Sequence, residues 1–251
     1  MLSRLKMVNQ DIQVVQHPQP ETLFTKSSKK QINLKSDRPA LLISSTSWTA
    51  DEDFSILLDA LLEFVFTFDL TMSMCRYNSA KSKNKSLPNL VCIITGKGPL
   101  KKHYMDLIAK ENMEHVSIYT AWLQESDYPK LLACATIGVS LHTSSSGLDL
   151  PMKIVDLFGY IIRKGHTYIN NSCGIPVLAL NFSCIGELVE NGKNGYCFST
   201  HQELSHQLEL LLQGYPESNK SLSGLEKGVG EFRNDGWEKN WDQVMGPLIG
   251  F

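Results

Sequence analysis

The residues best able to do chemistry run from His142 to Asp156. Thr143, Ser144, Ser145, Ser146 and Gly147 lead through Leu148 and Asp149 to Pro151, and proline in a first helical turn forfeits no hydrogen bond. A helix start exposes unpaired N–H groups and partial positive charge, so it attracts phosphate. Lys153, in that first turn, adds a point charge suited to a diphosphate. Asp156 lies three residues on, on the same helix face, where a carboxylate can accept both hydroxyls of a ribose. The alternative is a serine-rich cap with a Lys–Asp surface pair. His142, at a strand end, either assists a leaving phosphate or is structural.

Three other groups are candidates. Thr46, Ser47, Trp48 and Thr49 follow the first apolar run; they line a sugar or phosphate, or they form a helix cap beside one core tryptophan. Gly96, Lys97 and Gly98 follow the second run, and two glycines let a backbone approach a ligand closely. The motif lacks the third glycine of the dinucleotide fingerprint, and no acid follows about 20 residues later at a strand end. That argues against a dehydrogenase. Asp51, Glu52 and Asp53 look like a metal-binding cluster, but acids are favoured in the first turn of a helix, and that is the reading taken.

The elements that would position these groups alternate. Residues 40–44, 90–95, 116–122, 137–142 and 175–180 read as buried strands. Between them, helices are expected from a Thr49–Glu52 capping box to about Phe68, over 99–112, over 127–135 and from Pro151 to Phe158. Helices near 185–190 and 202–212 close the unit, and Trp237 and Trp241 share a face if their segment is helical. This alternation predicts an α/β fold, a Rossmann-like parallel sheet with helices on both faces. Ligands then bind beyond the carboxyl ends of the strands, which selects the loops after Thr46, Thr95, Trp122 and Thr143. Residues 1–38 are polar and read as a tail or linker, with the globular unit over 39–251. Residues 71–88 read as a basic solvated loop.

The chain has 251 residues, 42% of them hydrophobic and 20% charged, with a formal net charge of -2. That size supports a core without disulfides, and the charge gives no reason to expect nucleic acid. Cys75, Cys92, Cys134, Cys173, Cys184 and Cys197 have no metal or redox spacing, so a reducing compartment is expected. With no signal peptide in view, the Asn-x-Ser triplets at Asn84, Asn170, Asn181 and Asn219 are read as chance. The apolar stretch 56–70 is broken by Asp59, Glu63 and Asp69, and a membrane span needs about 20 apolar residues.

Three stretches together carry a resemblance: RPALLISSTSWTADEDFSIL (residues 38–57), ITGKGP (94–99) and LHTSSSGLDLPMKIVDLFG (141–159). They closely resemble the chitobiosyldiphosphodolichol beta-mannosyltransferase family from about residue 38 to the end; residues 17–23 resemble its interdomain connection. The resemblance implies the carboxy-terminal, nucleotide-sugar-binding half of a GT-B glycosyltransferase. It implies GDP-mannose as donor, dolichol-diphosphate chitobiose as acceptor, an inverting beta-1,4 transfer, and a cytosol-facing site at the endoplasmic reticulum membrane among other glycosyltransferases of the pathway. No metal or other cofactor is implied.

By position, Asp156 looks like the ribose carboxylate of related transferases. Lys153, the stretch from Ser144 to Gly147, and Asp149 look like the phosphate and mannose cradle, flanked by His142 and Leu148. Thr46 to Thr49 would face the same diphosphate with Gly96, Lys97 and Gly98 nearby, and Trp122 and Leu123 would flank the base. Two departures stand out. The acceptor domain, which would carry the base for an inverting transfer, is expected to be missing together with its membrane anchor, so an inactive donor-binding fragment or regulatory paralogue is the alternative reading. Residues 160–172 (YIIRKGHTYINNS) look like an insertion.

Overall fold

The computed structural model describes residues 5–8, 11–14, 19, 21–28, 31–77, 87–143, 146, 148–159, 163–164, 167–168, 174–217, 219–234 and 237–249. Its centre is a run of six parallel strands: β5 (Ala40–Ser45), β6 (Leu90–Thr95), β7 (Val116–Ala121), β8 (Ile137–Ser140), β11 (Val177–Leu180) and β12 (Gly195–Phe198). They are ordered β7-β6-β5-β8-β11-β12. From β5 the chain works outward to β7, then returns to the other side of β5 as β8. The strand order therefore reverses between β5 and β8, the place where open α/β sheets bind ligands.

Strands β5, β6, β8 and β11 are buried nearly throughout, as strands covered on both faces must be. Alternate residues feed two cores. Leu42, Leu90, Cys92, Ile94 and Val139 face α1 (Phe54–Tyr77), α2 (Lys101–Ile108) and α5 (His201–Leu212) through Phe54, Leu57, Leu61, Phe64, Tyr104, Leu204 and Leu208. Leu41, Ile43, Val91, Ile93, Val177 and Ala179 face α3 (Tyr128–Leu132) and α4 (Met152–Gly159) through Leu131, Ile154, Leu157 and Phe158. Burial pushes the Cys92 thiol up to about 12, so it packs as a small hydrophobe. A Cβ on Gly138 would meet Leu157 Cδ1 at 2.4 Å, so this glycine lets α4 lie close on β8.

The structure departs from the sequence expectations in several places. Residues 5–14 are not a featureless tail: β1 (Leu5–Val8) and β2 (Asp11–Val14) form a hairpin at the β7 edge of the sheet. β3 (Thr25–Ser28) and β4 (Gln31–Leu34) form a second, separate hairpin. Ile12 and Phe24 anchor this region in the second core. Helix α1 runs to Tyr77 instead of stopping near Phe68. The Thr49–Glu52 capping box does not form, because the helix starts at Phe54 and Asp53 Oδ1 accepts from the Ser55 N–H at 3.0 Å. The helix expected near 185–190 is a single 3-10 turn, Ile185–Glu187, and β12 was not foreseen.

Within 160–172, β9 (Arg163–Lys164) and β10 (Thr167–Tyr168) pair antiparallel, and the rest of that stretch lies outside the described residues. Three helices end the chain: α6 (Lys220–Asn234), α7 (Trp237–Val244) and α8 (Gly246–Ile249). Trp237 and Trp241 are thus on one helix, four residues apart. Among the described residues, no helix is long and apolar enough to cross a membrane.

Helix α6 offers a matched pair of tests. A Cβ on Gly224 meets nothing within 4 Å, whereas one on Gly228 would lie 1.8 Å from the Lys193 carbonyl oxygen. Gly224→Ala should stabilise by about 0.5–1 kcal/mol through backbone entropy, and Gly228→Ala should destabilise. Urea midpoints moving the same way for both would contradict this packing.

Candidate functional site

Where the strands end, their polar residues meet. Ser45 Oγ lies 2.9 Å from Thr95 Oγ1 and 2.9 Å from Tyr128 Oη, which ties the ends of β5 and β6 to α3. The backbone ladder continues past the strands: the Thr46 N–H donates to Thr95 O at 2.9 Å, and the Gly96 N–H to Ala121 O at 3.3 Å. These ends form one wall of an open crevice of about 420 Å³, lined by Ser45, Thr46, Thr95, Gly96, Ala121, Trp122, Leu123, Glu125, Tyr128 and Lys153. Thr46, Gly96, Trp122, Leu123 and Lys153, expected as site residues, are therefore brought together. Ser45, Thr95, Glu125 and Tyr128 were not singled out, although Ser45 and Thr95 carry the strand-end position that could have marked them.

The acid between β5 and α1 has an unexpected task. Glu52 is only 3% exposed. Its Oε2 accepts from the Thr46 hydroxyl at 2.5 Å and from the Ser47 N–H at 2.8 Å. Its Oε1 pairs with the Lys153 ammonium arriving from α4. The reading of Asp51, Glu52 and Asp53 as ordinary helix-start acids holds for Asp53 but not for Glu52. Thr46 Oγ1 also accepts from the Trp48 N–H at 2.8 Å, which bends the loop tightly. Trp48 sits at φ 50 and is fully buried, its ring 4.7 Å from Phe54 and 6.0 Å from Tyr104. As a donor-facing side chain Trp48 is thus corrected: it is core, because the turn at Thr46 points it under the loop. Ser47 is exposed and Thr49 half-buried. The Thr49 hydroxyl, then Asp51's own N–H, hold the Asp51 carboxyl below its usual range.

The two glycines serve the neighbouring loop. A Cβ on Gly96, at φ +137, would lie 1.8 Å from Thr46 O, and one on Gly98 would lie 1.7 Å from Ser47 O. What their missing side chains admit is the 46–48 backbone. Between them, the Lys97 ammonium sits 4.0 Å from the ring centroid of Trp122, a cation–π contact. Trp122 is 61% exposed at the crevice lip.

The loop after β8 forms a second polar group. Asp149 takes His142 Nε2 on one oxygen and the Ser146 hydroxyl on the other, each at 3.0 Å. The Thr143 hydroxyl donates to Asp51 O at 2.8 Å, linking this loop to the one after β5. Leu148 is exposed, and Ser144, Ser145 and Gly147 lie outside the described residues. Asp156, one turn beyond Lys153 on α4, is half-buried. Burial pushes its carboxyl pKa up, and it is absent from the crevice lining. Among the described residues, no three His, Cys, Asp or Glu are grouped to hold a metal.

This arrangement has close relatives in sequence. The chitobiosyldiphosphodolichol beta-mannosyltransferase of Homo sapiens is 45% identical over 213 residues, covering 85% of this chain. That of Dictyostelium discoideum is 41% identical over 235 residues, covering 88%. The chain is a homologue of this mannosyltransferase family. It spans 40% of the human protein's length and 45% of the amoebal one's. An Arabidopsis thaliana relative, named UDP-glycosyltransferase TURAN, is 44% identical over 91% of this chain and 47% of its own length. No protein-family model matches the chain.

The Rossmann-like fold of this mannosyltransferase homologue recurs in glycosyltransferases of GT-B architecture. Anabaena HepE in complex with UDP-glucose superposes with a TM-score of 0.56 at 17% identity, over 85% of this chain and 49% of HepE. The C-terminal domain of a Francisella tularensis group 1 glycosyl transferase superposes with a TM-score of 0.51 at 12% identity, over 80% of this chain and 86% of that domain. At these identities the likeness is one of fold.

The loop packing can be tested directly. Gly96→Ala adds both backbone strain and a clash and should cost about 2–4 kcal/mol. Lys97→Ala removes only an exposed cation–π contact and should cost less than about 1 kcal/mol. Chemical unfolding of both variants checks this, and equal losses would refute the assigned role of Gly96.

Proposed function

We propose that the crevice beyond β5, β6 and β7 holds the nucleoside diphosphate of a sugar donor, and that the chain supplies the donor-binding half of a beta-mannosyltransferase. The donor is GDP-mannose, the acceptor dolichol-diphosphate chitobiose, and the transfer an inverting beta-1,4 one at the cytosolic face of the endoplasmic reticulum membrane, alongside other glycosyltransferases of that assembly line. The observation that carries this reading is a single cation: Lys153, fixed at the strand-order reversal, lining an open crevice with an aromatic platform at its lip. The relatives' names support the sugar and the acceptor. The half of HepE that superposes on this chain has the same fold, and HepE was solved with UDP-glucose.

Each group has a task in this reading. Lys153 meets the diphosphate charge as a point donor. Trp122, with Leu123 beside it, stacks on the base. Asp156 accepts the ribose hydroxyls when the nucleotide reaches across α4. His142, Ser146 and Asp149 face the sugar and steady it by hydrogen bonds. Departure of the nucleotide leaves negative charge on the diphosphate, and Lys153 stabilises that charge as it develops. Attack by the acceptor hydroxyl releases its proton, which requires a base near that hydroxyl.

Titration calorimetry with GDP, UDP and guanosine tests the donor. GDP should bind more tightly than guanosine or UDP. Tighter binding of UDP would favour a uridine donor, as TURAN's name has it, and no binding of either diphosphate would sink the reading. In a radiolabelled mannose assay with a short lipid-diphosphate chitobiose, the isolated chain should show little transfer.

Asp156 makes a prediction of its own. Burial favours its protonated form, so what this group contributes to stability is present at low pH and lost as pH rises through its folded-state pKa. Asp156→Asn should therefore leave Tm at pH 7 unchanged or raised. It should weaken GDP by about tenfold, the worth of a hydrogen bond to a charged group, and Asp51→Ala should weaken it less. Equal losses would remove the ribose role.

A further inference from the structure

The donor reading leaves one deeply buried charge unused. Glu52 lies beneath the loop after β5, almost inaccessible to water, and three donors converge on its two oxygens: the Thr46 hydroxyl, the Ser47 N–H and the Lys153 ammonium. A buried carboxylate is costly unless it is paired and hydrogen-bonded, and this one has both. The pair joins residues 101 positions apart in sequence, so it couples the β5 loop to the first turn of α4. The Lys153 side chain, 27% exposed, stays reachable from the crevice.

We propose that Glu52 is a positioning residue for donor binding: it fixes the Lys153 ammonium and the Thr46–Ser47 backbone in place before the diphosphate arrives. The proposal rests on the donor reading above. A lysine has three donors on a flexible stem. One donor committed to Glu52 fixes the direction of the head group and leaves the others for phosphate oxygens. Without that anchor, the side chain would have to be ordered when the ligand binds, at a cost in affinity. Glu52 is not among the residues lining the crevice, so it would act on the diphosphate through Lys153.

The test is a two-variant cycle read by calorimetry on the full chain, with GDP and guanosine as probes. Glu52→Gln should weaken GDP by about tenfold and leave guanosine unchanged, since only the diphosphate meets Lys153. Lys153→Met should bring GDP close to guanosine, and Glu52→Gln in the Lys153→Met background should add nothing further. A role confined to folding would instead lower affinity for both probes and would survive in that background; either result overturns the proposal.

If Glu52→Gln does not fold, the wild-type chain decides. Its 15N-labelled Lys153 ammonium, assigned by loss of the signal in Lys153→Arg, should exchange slowly with water and shift on adding GDP. An ammonium in fast exchange, or one blind to GDP, overturns the positioning role. GDP bound with wild-type affinity by Glu52→Gln refutes this proposal alone. A wild-type chain that binds neither GDP nor UDP refutes the donor reading and this proposal with it.

Discussion

A parallel sheet covered on both faces leaves no room for charge along its strands, and the working parts of this molecule follow from that constraint. Residues of β5, β6, β8 and β11 are apolar almost without interruption and feed two separate cores. Polar groups are pushed to the strand ends, where Ser45, Thr46 and Thr95 hydrogen-bond one another's elements together. The crevice opens beyond the ends of β5, β6 and β7, next to the point between β5 and β8 where the strand order reverses, and Lys153 reaches it from α4. The site is thus a consequence of the fold's winding, and the side chains decide its chemistry.

The loops around the crevice are tightly determined. Gly96 and Gly98 exist to admit the carbonyls of Thr46 and Ser47. Trp48 takes an unfavourable backbone conformation and is locked beneath them by Phe54 and Tyr104. Among the described residues its indole N–H has no hydrogen-bond partner, a further cost borne by this corner. Glu52 ties the same loop to Lys153 of α4. Strain and buried charge of this kind persist only where the surroundings over-determine them. The diphosphate seat proposed for this crevice would use such a corner, one with little freedom to rearrange.

How far the sequence could be read depended on whether a signal was local. The runs 90–95 and 137–140 are apolar and bounded by turns, so their strands and the parallel sheet were legible, as was the strand-end position of the candidate crevice. β12 was not: it begins with Gly195, follows a Gly- and Asn-rich turn, and pairs with β11 through contacts no window reveals. The polar average of residues 1–38 hid two hairpins whose pairing is also non-local. Glu52 was misread for a related reason. It stands three residues after Thr49, as a capping-box acid would, and only the fold shows that its partners are Thr46, Ser47 and a lysine from another helix. Trp48 shares a motif with Thr46 but points into the core, a distinction set by one backbone turn.

A crystal structure of the chain with GDP bound tests the central claim most directly. The account places the diphosphate about 3 Å from Lys153 Nζ, a hydrogen-bond distance, with the base against Trp122 and the Glu52–Lys153 pair intact. A nucleotide seated away from the strand ends, or a Lys153 swung out of the crevice, would contradict it.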